Sequence, residues 1–379
     1  MIANTTEGGR TVKTKVRRIA GMSRSSSLVV LTTIALAGCG STSAAPPAAT
    51  TVAAVSSPSP AAPTPTPTPT PPPLPQIGSI VPEAVIDVDF PTGALQATDD
   101  AIWLFDVDGA TRVDPVTNES RRLELKAADG TLRPSYGGML AEGSIWVSDF
   151  DYDEVRRYDE ADGTLTASIP VDAPAGMEFG DGSLWVAGHR DGTVRRIDPS
   201  TNKEVASIEV GENGSSGPHE VAYGDGRVWV GIPNQHEVVA IDPRTNKVAG
   251  SIEVEYPASP CGGIGEDRGR LIVGSCGDSQ SLAVLDIATM SSIGSPEFDG
   301  YVGPPAHVGD QLWMGVNRST DGDLVTVDPE TFEATKRYEV TGGAPYGRVV
   351  AFGSFWLAIE HETERAAWLL RLPLSAFEQ

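Results

Sequence analysis

Past residue 38 this 379-residue chain has no stretch that keeps a helical period for a useful length, which sets aside all-α repeats and helical solenoids. Basic side chains are few: 28 Lys and Arg stand against 51 Asp and Glu, a formal charge of −23. A chain so acidic, with no basic groove, is not built to hold nucleic acid. Cysteine is rarer still. Cys39, Cys261 and Cys276 are the three, with no CxxC pair and no zinc spacing, which disfavours dithiol catalysis. No Walker sequence and no dinucleotide-type glycine pattern occurs, so no cofactor and no metal site is expected. The apolar run LVVLTTIALAG is too short to cross a bilayer in comfort.

Six basic residues (Arg10, Lys13, Lys15, Arg17, Arg18, Arg24) precede that run, and Cys39 follows it. This is the order of a secretory signal. Leu36-Ala37-Gly38-Cys39 resembles the lipobox of bacterial lipoproteins. The resemblance implies cleavage after residue 38 and acylation of Cys39. It also implies a domain tethered to the outer face of the cytoplasmic membrane, toward wall or exterior, since several acyl chains give a lasting anchor. Met22 is a second candidate start. Cleavage removes six basic residues and one acidic residue and leaves a net charge of −28. Anionic lipid repels such a domain, so attachment rests on the lipid. Residues 39–80 form a Pro/Thr/Ala-rich spacer without large apolar side chains before Leu74. Proline removes donors and biases its neighbours toward extension, so the spacer reads as a disordered, semi-rigid stalk.

From residue 81 a pattern recurs. AIWLF, SIWVS, SLWVA, RVWVG, RLIVG, QLWMG and SFWLA carry markers Trp103, Trp146, Trp185, Trp229, Ile272, Trp313 and Trp356, spaced 43, 39, 44, 43, 41 and 43 apart. A third segment recurs too, as in TVRRIDPSTN and EVVAIDPRTN, where Asp caps its own backbone and Pro fixes φ. Each unit reads as four short antiparallel strands joined by hairpins. Seven such sheets arranged radially protect their edges. The last unit lacks a fourth strand, and the unassigned strand AVIDVDF (84–90) precedes the first. The expectation is an all-β, seven-bladed β-propeller over 81–379, closed by 84–90 joining the last blade. Segments 184–210 and 228–254 resemble the YVTN or YncE-like propeller family. Related propellers include extracytoplasmic binding proteins, surface proteins and a streptogramin (virginiamycin B) lyase, so the resemblance leaves the activity open.

Cys261 and Cys276 fall near the open end of one expected hairpin in the unit that has Ile272 in place of Trp. Export permits oxidation, so a disulfide is expected, with two free thiols or a redox pair as the alternatives. Ten residues before the markers lie Tyr136, His219 and Tyr346, predicted to converge at one channel opening and bind ligand. Glu220 and His307 are near by in sequence. His219, Glu220 and His307 are the candidates for acid–base chemistry if the protein is an enzyme. The lyases use His and Glu residues with magnesium at such a mouth, but their set has no residue-by-residue match here. His189, His236 and His361 are expected in solvated hairpins, together with the acidic clusters Asp106/Asp108, Asp149–Glu154 and Asp321/Asp323. The expected role is a noncatalytic, monomeric binding or scaffold module for a protein, peptide or cell-wall ligand. A lyase or hydrolase acting at the channel mouth is the alternative.

Overall fold

The computed structural model describes residues 74–89, 95–211, 217–276, 280–318, 320–360 and 366–377. The chain divides after Thr68. Cys39, the lipobox and most of the spacer lie outside the described residues. The second unit is the expected propeller: seven antiparallel sheets, most of them four-stranded, in chain order round one axis. Blade 3 shows the plan. Its strands Pro174–Gly180, Ser183–Gly188, Thr193–Asp198 and Lys203–Glu209 run from the channel outward.

Blade 7 supplies Ala344–Ala351, Ser354–Glu360 and Ala366–Pro373. Its outermost strand is Ala84–Asp89, paired from Ala84↔Arg371 to Asp89↔Ala366. The ring therefore closes as the missing fourth strand predicts. A second closure was not visible in the sequence. Gln76–Ile77, placed above in the spacer, adds an edge strand to blade 6 by pairing with Thr341 and Val340. Ile77 is fully buried there, so sheet structure begins ahead of residue 81.

The markers lie where two blade faces meet. All six marker tryptophans and Ile272 are buried. In blades 2, 3, 4 and 7 the indole N–H donates to the carbonyl five residues earlier, at 2.9–3.2 Å. That carbonyl opens the turn between first and second strands. Both central turn residues have positive φ, as at Asp181 (49°) and Gly182 (70°), the conformation that glycine tolerates and that matches strand twist.

The Asp-Pro-x-x-Asn turn does more than reverse the chain. Its Asp accepts the amide two residues on, as Asp198 does from Ser200 at 2.8 Å. Its Asn takes positive φ at positions 118, 202 and 246. Its outward groups receive an arginine from the preceding blade. Arg196 lies over Trp185, 4.8 Å from the ring centroid, and donates to Pro243 O and to Asn246 Oδ1 at 2.9 Å. Arg157 repeats this over Trp146 toward Pro199 and Asn202. Arg371 covers Trp356 and donates to Pro115 O at 2.7 Å, which links blade 7 to blade 1. Where blade 4 has Ala240 opposite Trp229, the next turn, DIATM, has neither Pro nor Asn.

Cys261 and Cys276 form the expected disulfide in blade 5, with Cα atoms 5.5 Å apart. The solvated reading of the acidic clusters needs correction. Asp149 is fully buried, 3.2 Å from the equally buried Arg156, and burial raises its pKa. Asp106 is buried against Arg122, 2.8 Å away. Asp323 is buried between Arg318 and Arg337. These hairpins fold around arginines, because a desolvated carboxylate needs a partner.

Candidate functional site: the channel mouth

The first strand of each blade lines the channel, and the segment just before it forms the rim. Tyr136 N donates to Ser148 O and His219 N to Gly231 O, each at 2.9 Å. These bonds fix both residues at one height on blades 2 and 4. Blade 3 has Ala175 at that height, small enough to leave the space above it open. The Tyr136 hydroxyl reaches His219 across it, 2.9 Å from Nε2. His219 Nδ1 is 3.2 Å from Glu220 Oε1. Tyr136, His219 and Glu220 thus form one hydrogen-bonded chain between blades 2 and 4, while Tyr346, predicted to converge with Tyr136 and His219, lines the cavity below.

His189 is not merely solvated, as the sequence reading had it. Its ring meets His219 edge-on at 5.6 Å and Phe150 at 5.5 Å. Its hairpin lies on the face where the rim segments emerge. His236 is exposed, as expected. His361 lies outside the described residues. His307 does not join the mouth. It sits near the far turn of its strand, bonded to Asp267 Oδ1 at 2.8 Å, so His219, Glu220 and His307 are not one constellation.

Below the rim is a cavity of about 600 Å3 lined by Tyr136, Tyr301, Tyr346, Glu178, Glu220 and Arg348, with much glycine backbone between them. His219 flanks this wall rather than lining it. Tyr136, Tyr301 and Tyr346 keep 36%, 39% and 36% of their surface open to the channel, but protein surrounds them on most sides. That burial raises all three phenol pKa values, Tyr301 to about 12, with the Glu220 carboxylate adding to it. Burial also pushes Glu178 up to about 7.

Tyr301, Glu178 and Arg348 were missed in the sequence. Blade 6 explains two of them. Its first strand is broken between Tyr301–Val302 and Ala306–Val308, because Pro304 and Pro305 have no N–H to give to the ladder. The Tyr301 hydroxyl donates to Gly262 O at 3.1 Å. Arg348 Nη2 donates to Gly303 O at 3.0 Å and to Pro304 O, which satisfies carbonyls that the break leaves unpaired. A second hollow, of about 500 Å3, lies on the opposite face beside Asp100, Arg112, Arg121 and Asp159. It contains none of the predicted residues.

No family model matches the chain, and no curated protein does. Solved structures do. A chain of a mitotic checkpoint complex is similar at TM-score 0.62 and 11% identity, over 86% of this chain and 99% of that one. The Pan2 WD40 domain of Neurospora crassa is similar at TM-score 0.56 and 11% identity, over 75% and 90%. BamB from Moraxella catarrhalis is similar at TM-score 0.52 and 14% identity, over 74% and 83%. At such identities the likeness is one of fold: the chain is a seven-bladed propeller, and its activity has to be argued from its own residues.

Proposed function

We propose that the protein is a noncatalytic, lipid-anchored binding propeller of the YVTN or YncE-like kind. On this reading residues 1–38 are a signal peptide, Cys39 carries the acyl chains, and residues 39–80 hold the disc off the outer face of the membrane. The channel mouth then recognises a protein, peptide or cell-envelope ligand. The observation that carries the reading is the cavity of about 600 Å3 whose wall offers three tyrosines, Tyr136, Tyr301 and Tyr346. Such a wall gives apolar area with polar tips, the composition of recognition surfaces. The test is native mass spectrometry of protein purified with its ligand retained. Wild-type protein should carry a bound mass that the Tyr136→Ala/His219→Ala/Tyr346→Ala variant loses while melting as before. A bound mass unchanged in the variant overturns the assignment of this face.

One observation favours a second reading, a lyase or hydrolase at the same mouth. Glu220 lies 3.2 Å from His219 Nδ1, and the Tyr136 hydroxyl lies within 3.1 Å of both ring nitrogens. That sets an imidazole base beside a phenol proton donor. Turnover of a cyclic lactone peptide with and without magnesium, abolished in His219→Ala, would favour it over binding alone.

A further inference from the structure

We propose that Arg348 is the anion-binding point of the channel and takes one carboxylate of the ligand. The inference rests on the binding reading above and adds the chemical class of what is bound. Arg348 stands on the first strand of blade 7, in the wall of the cavity below the rim. Its Nη2 is held by the Gly303 and Pro304 carbonyls, while its Nε is buried without a hydrogen-bond partner. The group that acts on its charge is the Tyr301 phenol, itself held neutral, and burial lowers the pKa of Arg348 to about 10. Arginines elsewhere behave differently. Arg122, Arg195 and Arg318 each face carboxylates, as a desolvated cation requires. Carbonyl dipoles fix the Arg348 guanidinium but bring it no net negative charge. A ligand carboxylate would, through a charge-assisted hydrogen bond to the guanidinium.

Charge balance narrows the class. Arg348 is the only Lys or Arg in the described cavity wall, and Glu178 and Glu220 line it from blades 3 and 4. With two acids on the same wall, a dianionic phosphate meets more repulsion than a monoanion does.

The test uses the full chain and three probes of one shape: benzoate, neutral benzamide and phenyl phosphate, titrated by saturation-transfer NMR. Benzoate should bind at least tenfold more tightly than either of the others. Arg348→Gln should reduce benzoate to the benzamide level, and Arg348→Lys should keep part of the preference. Thermal melting reports whether each variant is folded. Benzoate and benzamide binding alike to wild-type protein would overturn the role of Arg348. If that shared binding still disappears in Tyr136→Ala/Tyr346→Ala, the mouth remains the binding face. If phenyl phosphate binds best, the carboxylate class is wrong. If no probe binds wild-type protein, the carboxylate role of Arg348 falls, while the binding face is still judged by the bound mass retained or lost in native mass spectrometry.

Discussion

Glu178 faces the channel from the first strand of blade 3, and its carboxylate accepts from the Phe179 amide at 3.0 Å. Burial lifts its pKa from 4.5 to about 7. A carboxyl group whose folded pKa is raised holds its proton in the native state while the unfolded chain has already released it. Stability is then highest below about pH 4.5, falls as pH rises to about 7, and levels off above that. The loss should be on the order of 2 kcal/mol once channel water is allowed for. Denaturant unfolding between pH 5 and 8 checks this. Glu178→Gln should remove most of the slope, and an identical slope in the variant would show that other groups cause it. The same side chain shows why the site was only partly legible. The repeat fixes height, so Tyr136, His219 and Tyr346 could be placed on one ring from spacing alone. It does not say which side chains meet across a small neighbour such as Ala175, nor which ones the broken strand of blade 6 exposes to the channel.

Between elements, the arginine that crosses from one blade to the next turn explains why Asp-Pro-x-x-Asn recurs with a basic third strand. Arg196→Ala should cost about 2 kcal/mol, since it removes a cation–π contact and hydrogen bonds to Pro243 and Asn246 of the next turn as well as to Ser183 and Asp181 of its own blade. A double-mutant cycle with Asn246→Ala should show a coupling of about 1 kcal/mol. Additive effects would mean that the turn and the arginine act independently. The turn and the marker residues were legible because each rests on local chemistry: a capping Asp, a fixed Pro φ, a bulky ring once per period. The pairing of turn with arginine was not, because donor and acceptor lie 47 and 50 residues apart on different blades. Asp149 was misread for a different reason: its partner Arg156 follows on the next strand of the same hairpin, but sequence does not show that both side chains turn inward and lose water.

For the whole molecule, the ring depends on Ala84–Asp89, a strand separated from its blade by nearly the full chain. Ile86 and Val88 bury into the cluster formed with Trp356, Ala358 and Leu369. Ile86→Asp/Val88→Asp places unpaired carboxylates there and should cost several kcal/mol. The cooperative thermal transition should be lost or shifted down by tens of degrees, read by circular dichroism. Near-wild-type melting would mean that the ring holds without this strand. The closure was predictable because a strand was spare at one end and missing at the other. The two-residue pairing of Gln76–Ile77 was hidden, since so short a segment has no periodicity to read.

That pairing also gives the N-terminal chain a mechanical character. Tension applied ahead of residue 74 meets the two residue pairs that hold Gln76–Ile77 to blade 6 before it reaches the six that hold Ala84–Asp89 to blade 7. With fewer pairs to break, the short segment can peel first while the strand on which closure depends stays paired.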